Sequence, residues 1–572
     1  MIKRIWHEWG AVVRIGLLGG VVALYLCLAG LVGVFSVRAL ITGIISLGHT
    51  LLVLAGLITG YVGARGAPTG RMKSVLGGGL AGLITGLMLM LLVLVGSQVN
   101  LRAVMLNASP LLYDLLTFNQ GVAGLWTPVL LGTGLGGLGG LIYVLPPLAR
   151  RPAIWGLAAL VGLGLFAGFL RTPMLTGRLS GLARFLFGPE GLTPAGALIT
   201  LVLVVGGIII WDLAAPPAQK RIAALPDSDR RKLRWATIGV ELLIGAVVVL
   251  TLPYALGPFV AQVVALVALY VLMGLGLNIT LGFAGLLDLG FVAFFAVGAY
   301  TVGLLTSTAE YGIAQWSFWA AVPFAVVIAM AFGAFFGLPI LGIRGDYLAI
   351  ATLGFGEIIR ILAGSDLMKP MLGGPRGILN IPKPIDGLLP GHPLAGPNQI
   401  YYLSLLCAAL IAFVAIRLRD SRLGRTWMAV REDEDVAEAL GVNLVQTKLL
   451  AYMLGAAFAG LGGALFAGLI GSIFASSMQL FVSINVVSLL IVGGMGSIPG
   501  VVVGAIFLIG LPELFREFSE YRFLFYGAAM IAMMLRKPEG LLPSATIKRE
   551  LRAETEEEAP PTDTAVGNAT TS

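Results

Sequence analysis

The segment RLRDSRLGRTWMAVREDEDVAEALGVNLVQTK, residues 417–448, sets a dense run of charge between two apolar stretches, 399–417 and 448–472. Each stretch has the roughly 20 residues a helix needs to cross about 30 Å of hydrocarbon. Arg417, Arg419, Arg422, Arg425 and Arg431 gather in the connection, as basic residues do in short cytoplasmic loops. Its centre reads as a short helix. Glu432, Asp433, Glu434 and Asp435 load the N-terminal end, where the helix dipole favours anions. Ala437, Ala439 and Leu440 supply an apolar face, and Gly441-Val442-Asn443 ends the helix with a residue suited to the left-handed cap. On its own, the pattern fits a solvated loop as well as a helix that presses into a partner.

The same alternation runs outward in both directions. Apolar runs near 14–36, 39–63, 74–97, 122–145, 154–170 and 194–213 predict about six N-terminal spans. Further runs near 236–256, 259–281, 286–306, 317–342, 346–364, 399–417 and 448–472, a Gly-broken region at 483–516 and a run at 521–536 predict about nine more. The fold class is therefore all-α, a polytopic transmembrane bundle of about fifteen spans. A polar, basic segment at 216–235, with Lys220, Arg221, Arg230, Arg231, Lys232 and Arg234, reads as a cytoplasmic linker between an N-terminal membrane domain, 1–215, and a second one, 236–543. The polar tail 544–572, with Glu554, Glu556, Glu557 and Glu558, reads as disordered and cytoplasmic. This count places 417–431 inside, the 365–398 loop outside and both termini inside. Arg171, Arg178 and Arg184 fall outside on the same count, so either a span is misplaced or part of 172–190 lies along the interface.

Composition agrees with lipid as the solvent. The chain is 58% hydrophobic and 12% charged over 572 residues, too little polar surface to cover soluble domains of that size. Its 79 glycines suit helices that pack closely in lipid. The net charge of +8 lies in short loops beside apolar runs, which is a topology signal and not a nucleic-acid footprint. Cys27 and Cys407 sit in apolar stretches and read as packing residues. Met1 to Trp9 lacks the pattern of a cleavable signal, so the first run reads as a span. A shift of 242 residues lays Gly43, Leu47, Gly48 and Gly56 on Gly285, Leu289, Gly290 and Gly298. That register arises from a diverged copy of one helix or from chance in Gly-rich sequence.

Polar and Gly-rich features inside the second domain mark candidate pathway residues. Asp346, Tyr347, Glu357 and Arg360 lie in or near one apolar span, where ionisable groups are costly unless they face a cavity or a partner. Asp346 reads as a helix N-terminal charge; Glu357 and Arg360, three apart, pair on one helical face or line a path. Thr352, Gly354 and Gly356 leave room for another helix or for a solute. In GGMGSIPG, 493–500, the glycines Gly493, Gly494, Gly496 and Gly500 with Pro499 interrupt helix. The break is either a tight turn or a place where freed backbone groups hold a polar solute. Asp288 is a buried-carboxylate candidate near the cytoplasmic surface, while His49 and Glu241 read as polar residues satisfied by neighbouring helices. The Pro- and Gly-rich loop 364–399, which includes Gly373, Gly374 and Pro375, is the longest external connection of this domain.

Several chemistries are excluded. There is no GxxxxGK[ST] phosphate loop, no HExxH and no CxxC, and three histidines, His7, His49 and His392, give no nucleophile–base–acid set. The chain is expected not to be an enzyme, to bind no metal and to hydrolyse no ATP itself.

Segment 417–448 resembles the coupling helix of ABC importer permeases, in the version of the branched-chain amino acid permease family (LivM-like). Arg425, Trp427, Arg431, Glu432, Asp433, Glu434, Ala437, Gly441, Asn443 and Lys448 carry the match, and Asp435-Val436 departs from the expected apolar-Ala pair. The resemblance extends in order through NITLGFAGLLDLGFVAFFAVGAYT (278–301), GDYLAIATLGFGEIIRIL (345–362), GGPRGI (373–378), GGMGSIPG (493–500), LPELFREF (511–518) and RKPEGLLP (536–543). Residues 1–215 show no such likeness. The resemblance implies a permease subunit in a prokaryotic cell membrane that pairs with a second homologous permease, two ATP-binding subunits that hold ATP and Mg, and an extracytoplasmic solute-binding protein. It implies that Arg431, Glu432, Asp433, Glu434, Ala437, Gly441 and Asn443 couple to the ATPase, and that the surface around 373–375 meets the binding protein. Leu, Ile and Val are the implied substrates, with urea, short amides and other amino acids as alternatives. An ion-coupled secondary transporter would need matched intramembrane charges in two inverted halves, which the sequence does not offer.

Overall fold

The computed structural model describes residues 2–176, 180–223, 227–340, 342, 346–384, 398–514, 522–537 and 539–544. Most of the expected tail, part of the external loop (385–397) and residues 515–521 lie outside the described residues, and so does the side chain of Asp346. Twelve described helices are long and apolar enough to cross a membrane, and three shorter apolar helices, Gly245–Tyr254, Val292–Thr306 and Ile498–Glu513, accompany them. The protein is a multi-pass membrane protein. Contacts divide the chain into Met1–Gly257 and Pro258–Ser572. The division falls some twenty residues beyond the expected linker because the segment from Asp227 is helical, and its helical angles break only at Gly257 (φ 81°, ψ 179°). That φ is open to glycine and strained for other residues.

In the N-terminal unit, α1 (Ile2–Leu28) leads into a two-stranded antiparallel hairpin, β1 (Ala39–Ile41) and β2 (Ile45–Ser46), followed by α2 (Leu47–Gly66), α3 (Arg71–Gln98), α4 (Thr127–Val144), α5 (Pro147–Leu165) and α6 (Pro194–Ala223). The apolar run at 39–63 is therefore not one helix: β-branched residues around a left-handed Gly43 form the hairpin, and α2 starts when the Ser46 hydroxyl caps it by accepting from the His49 N–H. Helices α2, α3 and α4 meet through glycines; a Cβ on Gly60 or Gly78 would run into the Gly136 carbonyl. Small residues here replace the burial energy that lipid does not supply. Among the described residues, the stretch around 172–190 contains two short helices, Ala167–Thr176 and Ser180–Leu186, and then pairs with the hairpin through Ile41 and Leu192. Ten residues of helix rise about 15 Å, half a bilayer core, so neither short helix is long enough to span, and Arg178 lies outside the described residues.

In the second unit the rest of α7 (Asp227–Leu277) runs into a π-helical turn at Asn278–Phe283, then α8 (Val292–Thr306), α9 (Phe318–Ile340), α10 (Asp346–Gly364) and α11 (Asn398–Arg419). The charged segment folds as α12 (Arg422–Glu432) and α13 (Glu434–Ala439), followed by the long α14 (Leu444–Ile470), α15 (Leu480–Gly493), α16 (Ile498–Ala505) and α17 (Arg522–Arg536). Helix α14 is the axis of the core, with Tyr452, Ala456, Ala459, Ala464 and Ala467 buried. It packs on α8 where Gly298 lies against the Gly460 carbonyl, an approach that a side chain on Gly298 would prevent. The apolar run at 286–306 becomes helical only from Val292, because 284–291 is a fixed loop: the Gly290 N–H donates to Asp288 Oδ1 (2.9 Å) and the Leu289 N–H to Thr352 Oγ1 (3.0 Å).

The register of 242 residues has local counterparts. Gly43 and Gly285 are both left-handed (φ 78° and 73°), and Gly48 and Gly290 each press on a backbone carbonyl, of Val32 and of Thr352. Each pair prepares the entry to a glycine-packed helix, α2 in one unit and α8 in the other.

Candidate functional site

Three successive polar caps shape the charged segment. The Ser421 hydroxyl accepts from the Gly424 N–H (3.3 Å) at the start of α12, the Asp433 carboxylate from the Asp435 and Val436 N–H groups (2.9 and 3.0 Å) at the start of α13, and the Asn443 side chain from the Gln446 N–H (3.0 Å) at the start of α14. Each satisfies donors that a helix end leaves free. Gly441 is left-handed (φ 89°) and turns the chain out of α13. Asp433, Gly441 and Asn443 therefore build the segment. Glu432 ends α12 and is exposed.

Four contacts hold the segment to the bundle. Trp427 is fully buried and its Nε1–H donates to the Thr447 carbonyl at 2.8 Å. Arg431 donates to the Gly282 carbonyl at 2.9 Å, in the π-helical turn. Lys448, 4% exposed, pairs with Glu434 across 2.6 Å, and Glu434 itself is 26% exposed. Ala437 is buried beneath α13. What α13 and its C-cap turn outward is Val436 (55% exposed) and the cap residue Leu440 (79%), with Glu438 and Asp435 beside them. At the edge of the segment and outside the spans, the Arg419 guanidinium hydrogen-bonds to Asp420 and holds its carboxyl below the usual carboxylate range.

The GGMGS break lies at this same end. The Gly496 N–H donates to Asn278 Oδ1 (2.9 Å), and the Val492 and Gly493 carbonyls accept from the Leu541 and Leu542 N–H groups (2.8 and 2.9 Å). Gly493 packs on the Gly500 carbonyl, Gly494 (φ 111°) against Leu542 and Pro543, and a Cβ on Gly282 would meet the Gly496 nitrogen at 2.9 Å. The Gly496 N–H and the Val492 and Gly493 carbonyls are thus taken up by protein. Asn278, Gly282, Gly496 and Arg431 form one continuous connection between the charged segment and the core.

The other candidates separate by face. Thr352 is buried and donates to the Ala349 carbonyl (3.0 Å) while holding Leu289; Gly356 packs on Gly290, 3.1 Å from its Cα to the position of a Cβ. On the opposite face of α10, Tyr347, Ile350, Gly354, Glu357 and Ile361 follow helical spacing, and nothing lies within 4 Å of a Cβ built on Gly354. Glu357 pairs with Arg360 at 2.6 Å on that partly exposed side. Gly373 and Gly374 are buried, left-handed turn residues, and Pro375 beside them is exposed. Their loop is fastened to the far end of α14 by Ile378 and Ile473, which exchange backbone hydrogen bonds of 2.9 and 2.8 Å. Along α14, which runs from Leu444 to Ile470, this end stands roughly 33 Å from Lys448.

Residues 259–534 match the family model described as "Branched-chain amino acid transport system / permease component". The chain is 37% identical over 369 residues to the high-affinity branched-chain amino acid transport system permease protein LivM of Escherichia coli (strain K12), covering 60% of this chain and 85% of that protein. The chain belongs to the branched-chain amino acid transport permease family. This permease is also 25% identical over 307 residues to LivH of Escherichia coli (strain K12), covering 50% of the permease and 95% of LivH. A probable LivM of Methanocaldococcus jannaschii is 22% identical over 326 residues, covering 49% of the permease and 92% of that relative. No solved structure gives a significant match.

Sequence reasoning missed two residues of this permease's charged segment and its anchor. Lys448 entered only as a match to a motif; its position five residues after Asn443, in the second turn of an apolar helix, was the available signal for a buried cation. Asn278, buried in the π-helical turn, gave the clue of an amide inside an apolar run.

Proposed function

We propose that this permease is the membrane subunit of an ATP-driven importer of branched-chain amino acids, and that α13 is its docking point for a separate ATP-binding subunit. The observation that carries the reading is the pair of exposed apolar side chains, Val436 and Leu440, on a short helix whose other side is fixed to the core by Glu434–Lys448, Arg431–Gly282 and Trp427–Thr447. A helix held this way moves as part of α14 and the π-helical turn, so force applied at Leu440 reaches the core. The substrate class follows from the relatives, which are named as branched-chain amino acid transport permeases. The full assembly contains a second, homologous permease, two ATPase subunits that bind ATP and Mg, and an extracytoplasmic binding protein that docks near Pro375. The chain itself has no catalytic role.

In this reading residues 236–543 form the permease domain, 1–215 an added membrane domain, 216–235 a cytoplasmic linker and 544–572 a cytoplasmic tail, with both termini in the cytoplasm. Arg431, Glu434 and Ala437 transmit motion, Asp433, Gly441 and Asn443 shape the docking helix, and Glu432 stands at its rim. Gly354 and Glu357 lie on the face of α10 that lines the pathway, with Thr352 and Gly356 fixing that helix; Gly493, Gly494 and Gly496 act as a hinge at the coupling end. The test is co-purification. Val436→Asp with Leu440→Asp removes the apolar knobs without touching an anchor, and is expected to abolish recovery of the ATPase subunits with a folded permease. Undiminished recovery would sink the assignment.

A further inference from the structure

The N-terminal unit contains a cavity of about 640 Å³ that the transport reading does not use. Its outer end is made by Val37, Ile44, Phe118 and Glu190, all exposed, and its inner end by Ala23, Thr85, Leu89 and Gly132, all buried. Between His49 and Gly56 the lining helix α2 rises about 10 Å, a depth that suits an extended chain. The volume lies in the range of small-molecule sites, which are mostly apolar with a few polar groups that fix orientation.

The walls offer a ligand almost no hydrogen bonds, because their polar side chains are already engaged. Ser36 donates to the Gly33 carbonyl (2.6 Å), and Thr85 to the Gly16 and Ala81 carbonyls (3.2 and 3.1 Å). His49 bridges Ser46 Oγ (2.7 Å) and the Leu115 carbonyl (3.2 Å). A carbonyl only accepts, so His49 Nε2 carries the proton and Nδ1 takes the Ser46 hydroxyl. The ring then rests against Phe118, centroids 4.9 Å apart, as an apolar plate. The remaining polar side chain is the Glu190 carboxylate, next to the backbone pairing of Leu192 with Ile41, and no Lys or Arg lines the cavity among the described residues.

We propose that this cavity binds an amphiphile with a single apolar chain and a cationic amine headgroup, the chain between α1, α2, α3 and α4 and the amine at Glu190. An apolar body fits walls whose hydrogen bonds are closed, and the sign of the head follows from Glu190, the one charged side chain among the described residues that line the cavity; the nearby Arg171 guanidinium is turned to the Pro189 carbonyl (3.4 Å). The added domain is then a sensor or anchor for such amphiphiles, independent of whether α13 couples to an ATPase.

The test uses the full chain in nanodiscs, with dodecylamine and dodecanoate as probes and empty nanodiscs as the partition blank. Dodecylamine is expected to bind saturably at one site per chain, and dodecanoate more weakly. Glu190→Gln is expected to lower dodecylamine affinity about threefold, the scale of one exposed charge pair, and to narrow the difference between the probes. Val53→Trp, which fills the cavity from α2, is expected to remove saturable binding. Equal affinity for both probes in the unaltered protein, or saturable binding that survives Val53→Trp, would overturn the proposal. Because Glu190 is exposed in a loop, its variant keeps the test decisive even where Val53→Trp perturbs folding.

Discussion

Removing Glu434 should cost far more than removing its partner Lys448, although both changes break the same ion pair. The Glu434→Ala variant leaves an ammonium that is 4% exposed without its counter-charge, a situation worth about 3–5 kcal/mol against the docked state. The Lys448→Met variant leaves Glu434, already 26% exposed, which turns to water at about 1–2 kcal/mol. The double variant Glu434→Ala/Lys448→Met leaves no buried charge and should recover most of the larger loss. Hydrogen exchange of the amides in 434–443 reads the local opening directly, since it reports the free energy of undocking α13 and not of unfolding the bundle. At 1.4 kcal/mol per decade, Glu434→Ala should lower protection by about 10²- to 4 × 10³-fold, Lys448→Met by about 5- to 30-fold, and the double variant by little more than the latter. Equal losses in the two single variants, or a double variant whose loss is the sum of both, would refute a buried pair as the latch.

Other substitutions test the remaining anchors. Trp427→Ala removes a fully buried indole and its bond to Thr447, and should cost about 3–5 kcal/mol, seen as a large fall in thermal stability of the detergent-purified protein. Asn278→Ala strips the Gly496 N–H of its acceptor and should cost about 1–3 kcal/mol by the same assay, with ATP-dependent uptake falling alongside. On α10, Gly354→Ala should fold normally because its Cβ enters open space, whereas Gly290→Ala should fail to express as folded protein because its Cβ meets the Thr352 carbonyl. If both were tolerated equally, the packing of α10 on the 284–291 loop would be wrong.

The spans were legible because each is a long apolar run, and period did not have to be resolved. What hid were the places where an apolar run is not helix. Residues 39–46 form a hairpin and 284–291 a hydrogen-bonded loop; in both, apolar composition is the same as in the helices beside them, and only left-handed Gly43 and Gly285 mark the difference. In the charged segment, the helix at 434–439, its acidic start and its Gly441 end were readable from charge and cap chemistry. The direction of each side chain was not. Ala437 turns inward while Ala439 and Leu440 do not, and Glu434 turns to Lys448, because both facts depend on the angle at which α13 leaves Asp433 and lies on α14. The glycines of 493–496 were ambiguous between a turn and a solute site for a similar reason. Their free backbone groups are taken by Asn278 and by Leu541 and Leu542, residues remote in sequence.

The central claim is that transport through this chain is driven from outside it, through α13. Uptake of radiolabelled leucine into proteoliposomes tests it most directly, with the permease pair, binding protein and ATPase subunits reconstituted together and with each omitted in turn. The account predicts uptake that requires the ATPase subunits and hydrolysable ATP and that is lost in Val436→Asp/Leu440→Asp. Uptake driven by an ion gradient without the ATPases, or unimpaired in that variant, would contradict it.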